Sequence, residues 1–102
     1  MVRILLVDDE PFIVQGLKAM IELENPKYRI VGEASDGKEA LEFLKREKVD
    51  LIIADVQMPV MSGLELLETI RKEKISDAYF MVLSGYSDFQ YAQQALRYDC
   101  ID

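Results

Sequence analysis

Four stretches of the chain are rich in apolar residues, and the segments between them place apolar residues at intervals of three and four. The apolar runs are Val2 to Val7, with Arg3 the one polar residue in it, Ile30 to Val31 with its neighbours, Leu51 to Ala54, and Tyr79 to Leu83. Apolar runs without polar alternation suit strands covered on both faces, as in a parallel sheet. In the spaced segments, Ile13, Leu17 and Met20, then Ala40, Leu41 and Leu44, then Leu66 and Ile70 mark the buried stripes of three amphipathic helices. Pro11 stands where a first-turn proline is harmless, and Asn25-Pro26 ends the first helix. "DGKE" (Asp36 to Glu39), "SGLE" (Ser62 to Glu65) and "SDFQ" (Ser87 to Gln90) resemble capping boxes, the last of them opening a fourth helix. The predicted order is β-α-β-α-β-α-β-α, with "CID" at Cys100 to Asp102 positioned to open a fifth strand.

Strands that alternate with helices imply right-handed crossovers and an α/β doubly wound parallel sheet with helices on both faces. In the order 2-1-3-4-5 the first and third strands are neighbours at the switch point, and ligands bind there, beyond the carboxyl ends of the strands. Asp8 and Asp9 end the first run in "ILLVDDEPF", and Asp55 ends the third in "LIIADVQMP". Three carboxylates distant in sequence are therefore expected to converge.

Composition narrows what such a site can serve. A chain of 102 residues, 50% hydrophobic, is one domain with enough apolar surface for a core. The formal charge of −7 opposes direct binding to nucleic acid or to an anionic membrane, and more than half of that excess comes from Asp8, Asp9, Glu10 and Asp55. Cys100 is the single cysteine and there is no histidine, which excludes an internal disulfide and a Cys/His metal site. The short apolar runs and the N-terminus "MVRILLVDDE" carry neither a membrane span nor a signal peptide, so a cytoplasmic protein is expected.

Carboxylates crowded into one shallow pocket repel each other unless a cation compensates. Carboxylates, a backbone carbonyl and waters match the demands of Mg²⁺. Neither G-x-x-x-x-G-K-[ST] nor G-x-G-x-x-G occurs, which argues against a bound nucleotide. A carboxylate can itself accept a phosphoryl group when a metal neutralises the charge in flight. Each motif alone has a plain structural reading: "DDEP" as a helix start, "ADVQMP" as a strand end and turn, and Ser84 as a loop hydroxyl. Their conjunction at the ends of the first, third and fourth strands is far more specific.

These residues resemble the receiver domain of two-component response regulators over the whole chain. The resemblance is carried by "ILLVDDEP", "EASDGKEALEFL", "DLIIADVQMPVMSGLELLETIR" and "VLSGYSDFQYAQQAL", in the family's order and spacing. It implies a flavodoxin-like fold, Mg²⁺ dependence and phosphorylation by a partner histidine kinase. By position it makes Asp55 the phosphoryl acceptor and Asp9 a direct Mg²⁺ ligand, with Asp8 acting mainly through water. Gln57 would offer its backbone carbonyl to the metal, Glu10 would stand outside its shell, and Ser84 would hydrogen-bond the phosphoryl group. The resemblance makes the domain a switch that assists its own chemistry and is no enzyme acting on outside substrates. "SGYSDFQYAQQALRYDCID" further resembles receivers attached to transcription factors of the arabinose-regulator class, which implies a DNA-binding output domain in a longer parent protein.

The sequence stops at Asp102, where the family's last strand begins. The expectation is thus a receiver domain over residues 1–102 with strand order 2-1-3-4, C-terminally truncated, its fifth strand, last helix and family lysine missing. An unpaired fourth strand predicts homo-oligomers through that edge, or marginal stability as a monomer. On the fourth helix, Phe89, Ala92 and Leu96 share one side, and Tyr91 and Tyr98 mark the other as an alternative contact surface. Two other functions compete: a phosphorylation-independent interaction module or switch-dead fragment, and a metal-dependent phosphohydrolase. The hydrolase is disfavoured because the first strand ends in "DDE" rather than D-x-D.

Overall fold

A computed structural model of the chain describes residues 1–55 and 61–83. Their elements are β1 (Val2–Val7), α1 (Pro11–Glu24), β2 (Tyr28–Ala34), α2 (Gly37–Arg46), β3 (Leu51–Asp55), α3 (Gly63–Lys72) and β4 (Tyr79–Leu83). The strands form one parallel sheet in the order β2-β1-β3-β4. This is the predicted flavodoxin-like winding. The expected fourth helix, the fifth strand at "CID" and the tyrosine pair Tyr91 and Tyr98 lie outside the described residues.

Two apolar layers hold the sheet. On one face Ile4, Leu6, Leu51 and Ile53 meet Val14, Leu17 and Ile21 of α1. On the other, Leu5, Val7, Ile52 and Ala54 meet Ala40 and Leu44 of α2 and Leu66 and Ile70 of α3. Alternate residues of one strand thus enter opposite layers, which is why Ile4 to Val7 of β1 and Leu51 to Ala54 of β3 read as unbroken apolar runs. In α1 the fully buried residues are Val14, Leu17 and Ile21, whereas Ile13 and Met20 are only partly buried. The predicted stripe is therefore rotated by one position toward its neighbour, because both sets have helical spacing and packing chooses between them.

Start signals operate as physical chemistry requires, with one difference. Pro11 takes the first position of α1, and Ser62 makes a full capping box with Glu65 at α3. At α2, Asp36 caps by accepting from the Glu39 N–H at 2.9 Å. The Glu39 carboxylate, however, accepts from the Ser35 N–H and hydroxyl, at 3.1 and 2.8 Å, and leaves "DGKE" without the return bond of a full box. The Ser35 hydroxyl offers a second donor that the Asp36 backbone cannot match.

At its far end α3 closes with Lys74 in the left-handed region, φ 54°. The Lys74 N–H donates to Arg71 and the Ile75 N–H to Ile70, the paired bonds of a Schellman stop. Glycine usually takes that position.

Candidate metal centre

Sheet register builds the centre. Val7 of β1 pairs with Ala34 of β2 on one side and Ala54 of β3 on the other. The residues that follow Val7 and Ala54 in the chain, Asp8 and Asp55, therefore come together at the carboxyl end of the sheet. Ala34 and Ala54 are buried and pack with Val7 in the layer that faces α2 and α3. Leu83 of β4 is the register partner of Asp55 and directly precedes Ser84 in the chain. Ser84 and Gln57 themselves lie outside the described residues.

Carboxylate oxygens of Asp8, Asp9 and Asp55 lie within 4.8 Å of one another. The predicted convergence is present. Asp8 is buried, 6% exposed, Asp9 is exposed, and Asp55 lies between these extremes. The Asp8 backbone N–H donates to the Ala34 carbonyl at 3.0 Å, and its side chain accepts the Glu10 N–H at 2.8 Å. Those two bonds fix its position. Burial, helped by the charges of Asp55, Asp9 and Glu10 and opposed by the Glu10 N–H, pushes the Asp8 carboxyl up to about 6.

Glu10 caps α1 without any side-chain hydrogen bond to that helix. Beside the three aspartates, a hollow of about 260 Å³ is lined by residues that include Asp8, Asp9, Gln15, Ser35 and Glu39. The sequence reading missed Ser35 and Glu39 as part of this rim. Their signal was the serine one residue ahead of the Asp36 cap, with an acid one helical turn beyond it.

Oxygen donors of this kind, crowded and partly buried, fit a hard divalent cation. The donor set holds no nitrogen or sulfur, which disfavours zinc and copper.

Comparison with known proteins decides the family: residues 4–102 match the response regulator receiver domain. The chain belongs to this family. An uncharacterized transcriptional regulatory protein of Bacillus subtilis, YesN, is 40% identical to this receiver over 98 residues, 96% of this chain and 26% of that protein. The transcriptional regulatory protein HptR of Staphylococcus aureus is 31% identical over 102 residues, 100% of this chain and 39% of that protein. The receiver thus spans between about a quarter and two fifths of these curated relatives. Among solved structures, the receiver domain of AraT, a response regulator from Geobacillus stearothermophilus, superimposes with a TM-score of 0.72 at 39% identity, covering 95% of this chain and 75% of that one. A two-component transcriptional regulator AraC from Clostridium phytofermentans gives 0.72 at 35% identity, over 89% of this chain and 73% of that one. Among the described residues of the receiver, no helix is long and apolar enough to cross a membrane.

Proposed function

We propose that this receiver is a phosphoacceptor switch in which Asp55 takes a phosphoryl group from a histidine kinase. The observation that carries this reading is the meeting of Asp8, Asp9 and Asp55 within 4.8 Å at the carboxyl end of the sheet. Asp9 and Asp55 would hold Mg²⁺ directly, together with the Gln57 carbonyl, and Asp8 would hold it mainly through water. The cation would neutralise the charge gathered between the carboxylates and an incoming phosphoryl group.

Asp55 suits the nucleophile's role because its strand is buried on both faces and presents the carboxylate at a fixed point, less buried than Asp8. An in-line attack by its oxygen on phosphorus forms the acyl phosphate and releases the donor's nitrogen, which takes up a proton. Ser84 would then hydrogen-bond a phosphoryl oxygen, and the segment after it would carry the signal to an attached DNA-binding output domain in the cytoplasm. The domain acts only on its own acyl phosphate, and its membership in a family with transcriptional regulators among its relatives supports that reading.

The test is intact mass after incubation with Mg²⁺ and a small phosphoryl donor, for the native chain and for Asp55→Asn. One added phosphoryl group, lost in the variant, is expected. Addition that survives the Asp55→Asn change would place the acceptor elsewhere.

A further inference from the structure

A wide hollow lies far from the aspartates, at the opposite end of the sheet. It is a cleft of about 770 Å³ between the C-terminal ends of α2 and α3, floored by Leu44 and Ile75. Five cations line it: Lys45, Arg46, Lys48, Arg71 and Lys74. The acids there are Glu47 and Asp77, and Glu47 is engaged by Arg3 at 3.3 Å. In a chain of formal charge −7, this is a local reversal of sign.

Part of it has an ordinary cause. Lys45, Arg46 and Arg71 occupy last helical turns, where cations complement the helix dipole. Arg71 is further committed to the fold, since it donates to the Ser76 and Ala78 carbonyls. Lys48 and Lys74 lie beyond the helix ends and have no such cause. Lys74 moreover sits in left-handed backbone, which costs a lysine about 1 kcal/mol relative to glycine. Among the described residues, Lys45, Lys48 and Lys74 make no ion pair.

We infer that this cleft docks an acidic peptide segment of a partner protein. A compact phosphate fits it less well, because the helix ends turn carbonyl oxygens toward the cleft. Those of Lys45 and Arg46 receive no backbone N–H from the described residues. An extended peptide brings both of the things that the cleft lacks: carboxylates for the lysines and N–H donors for the carbonyls. An apolar side chain in the same segment would cover Leu44 and Ile75.

The probe is a fluorescently labelled short peptide of glutamate and aspartate with a central leucine, titrated with the full chain at low salt. Saturable binding is expected, weakened about tenfold by Lys45→Glu with Lys48→Glu, and weakened again by raised salt. Lys74→Gly should weaken binding several-fold while raising resistance to urea, a combination that a damaged fold would not produce. Absence of saturation, or equal binding by the charge-reversed chain, would overturn the proposal. So would tighter binding of inorganic tripolyphosphate or duplex DNA, or concentration-dependent self-association that the same reversal abolishes.

Discussion

Asp8→Asn should make the metal-free receiver more stable at neutral pH. The buried Asp8 carboxyl is shifted from its ordinary 3.8 to about 6, so the folded chain must hold a charge there at pH 7 that the unfolded chain holds in water. At about 1.4 kcal/mol for each tenfold change in proton affinity, the penalty is at most about 3 kcal/mol. The sign follows from proton counting. Between pH 3.8 and about 6 the folded state binds the extra proton, so this group's contribution falls as pH rises through that window and is flat above it. The substituted side chain is a near-isosteric amide whose oxygen still accepts the Glu10 N–H, so the change removes the charge and keeps the bond. The assay is urea unfolding followed by far-UV circular dichroism, in EDTA, at several pH values from 4 to 7. Taking the difference between variant and native chain cancels the other carboxylates. That difference should be near zero at pH 4, grow to between about 1 and 3 kcal/mol by pH 6.5, and then level off. A variant less stable than the native chain at pH 7, or a difference independent of pH, would refute the reasoning.

Other consequences follow from particular contacts. A Cβ added at Gly32 would lie 2.5 Å from the Phe43 ring, so Gly32→Ala should cost about 1 to 3 kcal/mol in urea unfolding, with recovery when Phe43→Leu is added. Ser62→Ala opens the capping box at α3 and should cost about 1 kcal/mol, whereas Ser62→Asp should keep most of it, both read from the thermal midpoint. Protonation of Asp8 competes with a cation, so Mg²⁺ affinity measured by calorimetry should weaken about tenfold between pH 7.5 and pH 5 from this group alone. An affinity indifferent to pH would mean that Asp8 takes no part in holding the ion.

How much was legible in the sequence depended on whether one residue's neighbours were set by the chain or by packing. The bounds of β1 and β4 could be read directly, because their apolar runs end where the strands end. β2 runs from Tyr28 to Ala34, longer than its apolar centre, because as an edge strand of the described sheet it exposes Arg29 and Glu33. Its pairing also slips by one residue opposite Ile4 and Leu5, which no periodicity encodes. In α1, Phe12 and Leu23 are 86% exposed although apolar, so the helix has more apolar surface than it buries and the stripe was ambiguous by one position. Convergence of Asp8, Asp9 and Asp55 followed from strand order alone. The unequal burial of Asp8 and Asp9, adjacent in sequence, did not: it depends on which way each side chain leaves the backbone beyond Val7, and on the bonds that hold Asp8 to Ala34 and Glu10.

That inequality bears on how the site works. Repulsion among surface acids is ordinarily relieved by rotating side chains into water, and Asp9, being exposed, retains that freedom. Asp8 does not. Its backbone is bonded to Ala34, its carboxylate to Glu10, and the preceding Val7 is paired on both sides by β2 and β3. Relief at Asp8 must therefore come from a proton or from a cation brought to the carboxylates, and above about pH 6 the proton is no longer held. The sheet thus keeps the acids in place at a standing cost in stability, and any ion that binds there recovers that cost as affinity. A more relaxed arrangement, with Asp8 as exposed as Asp9, would fold more stably without metal and hold the ion less tightly.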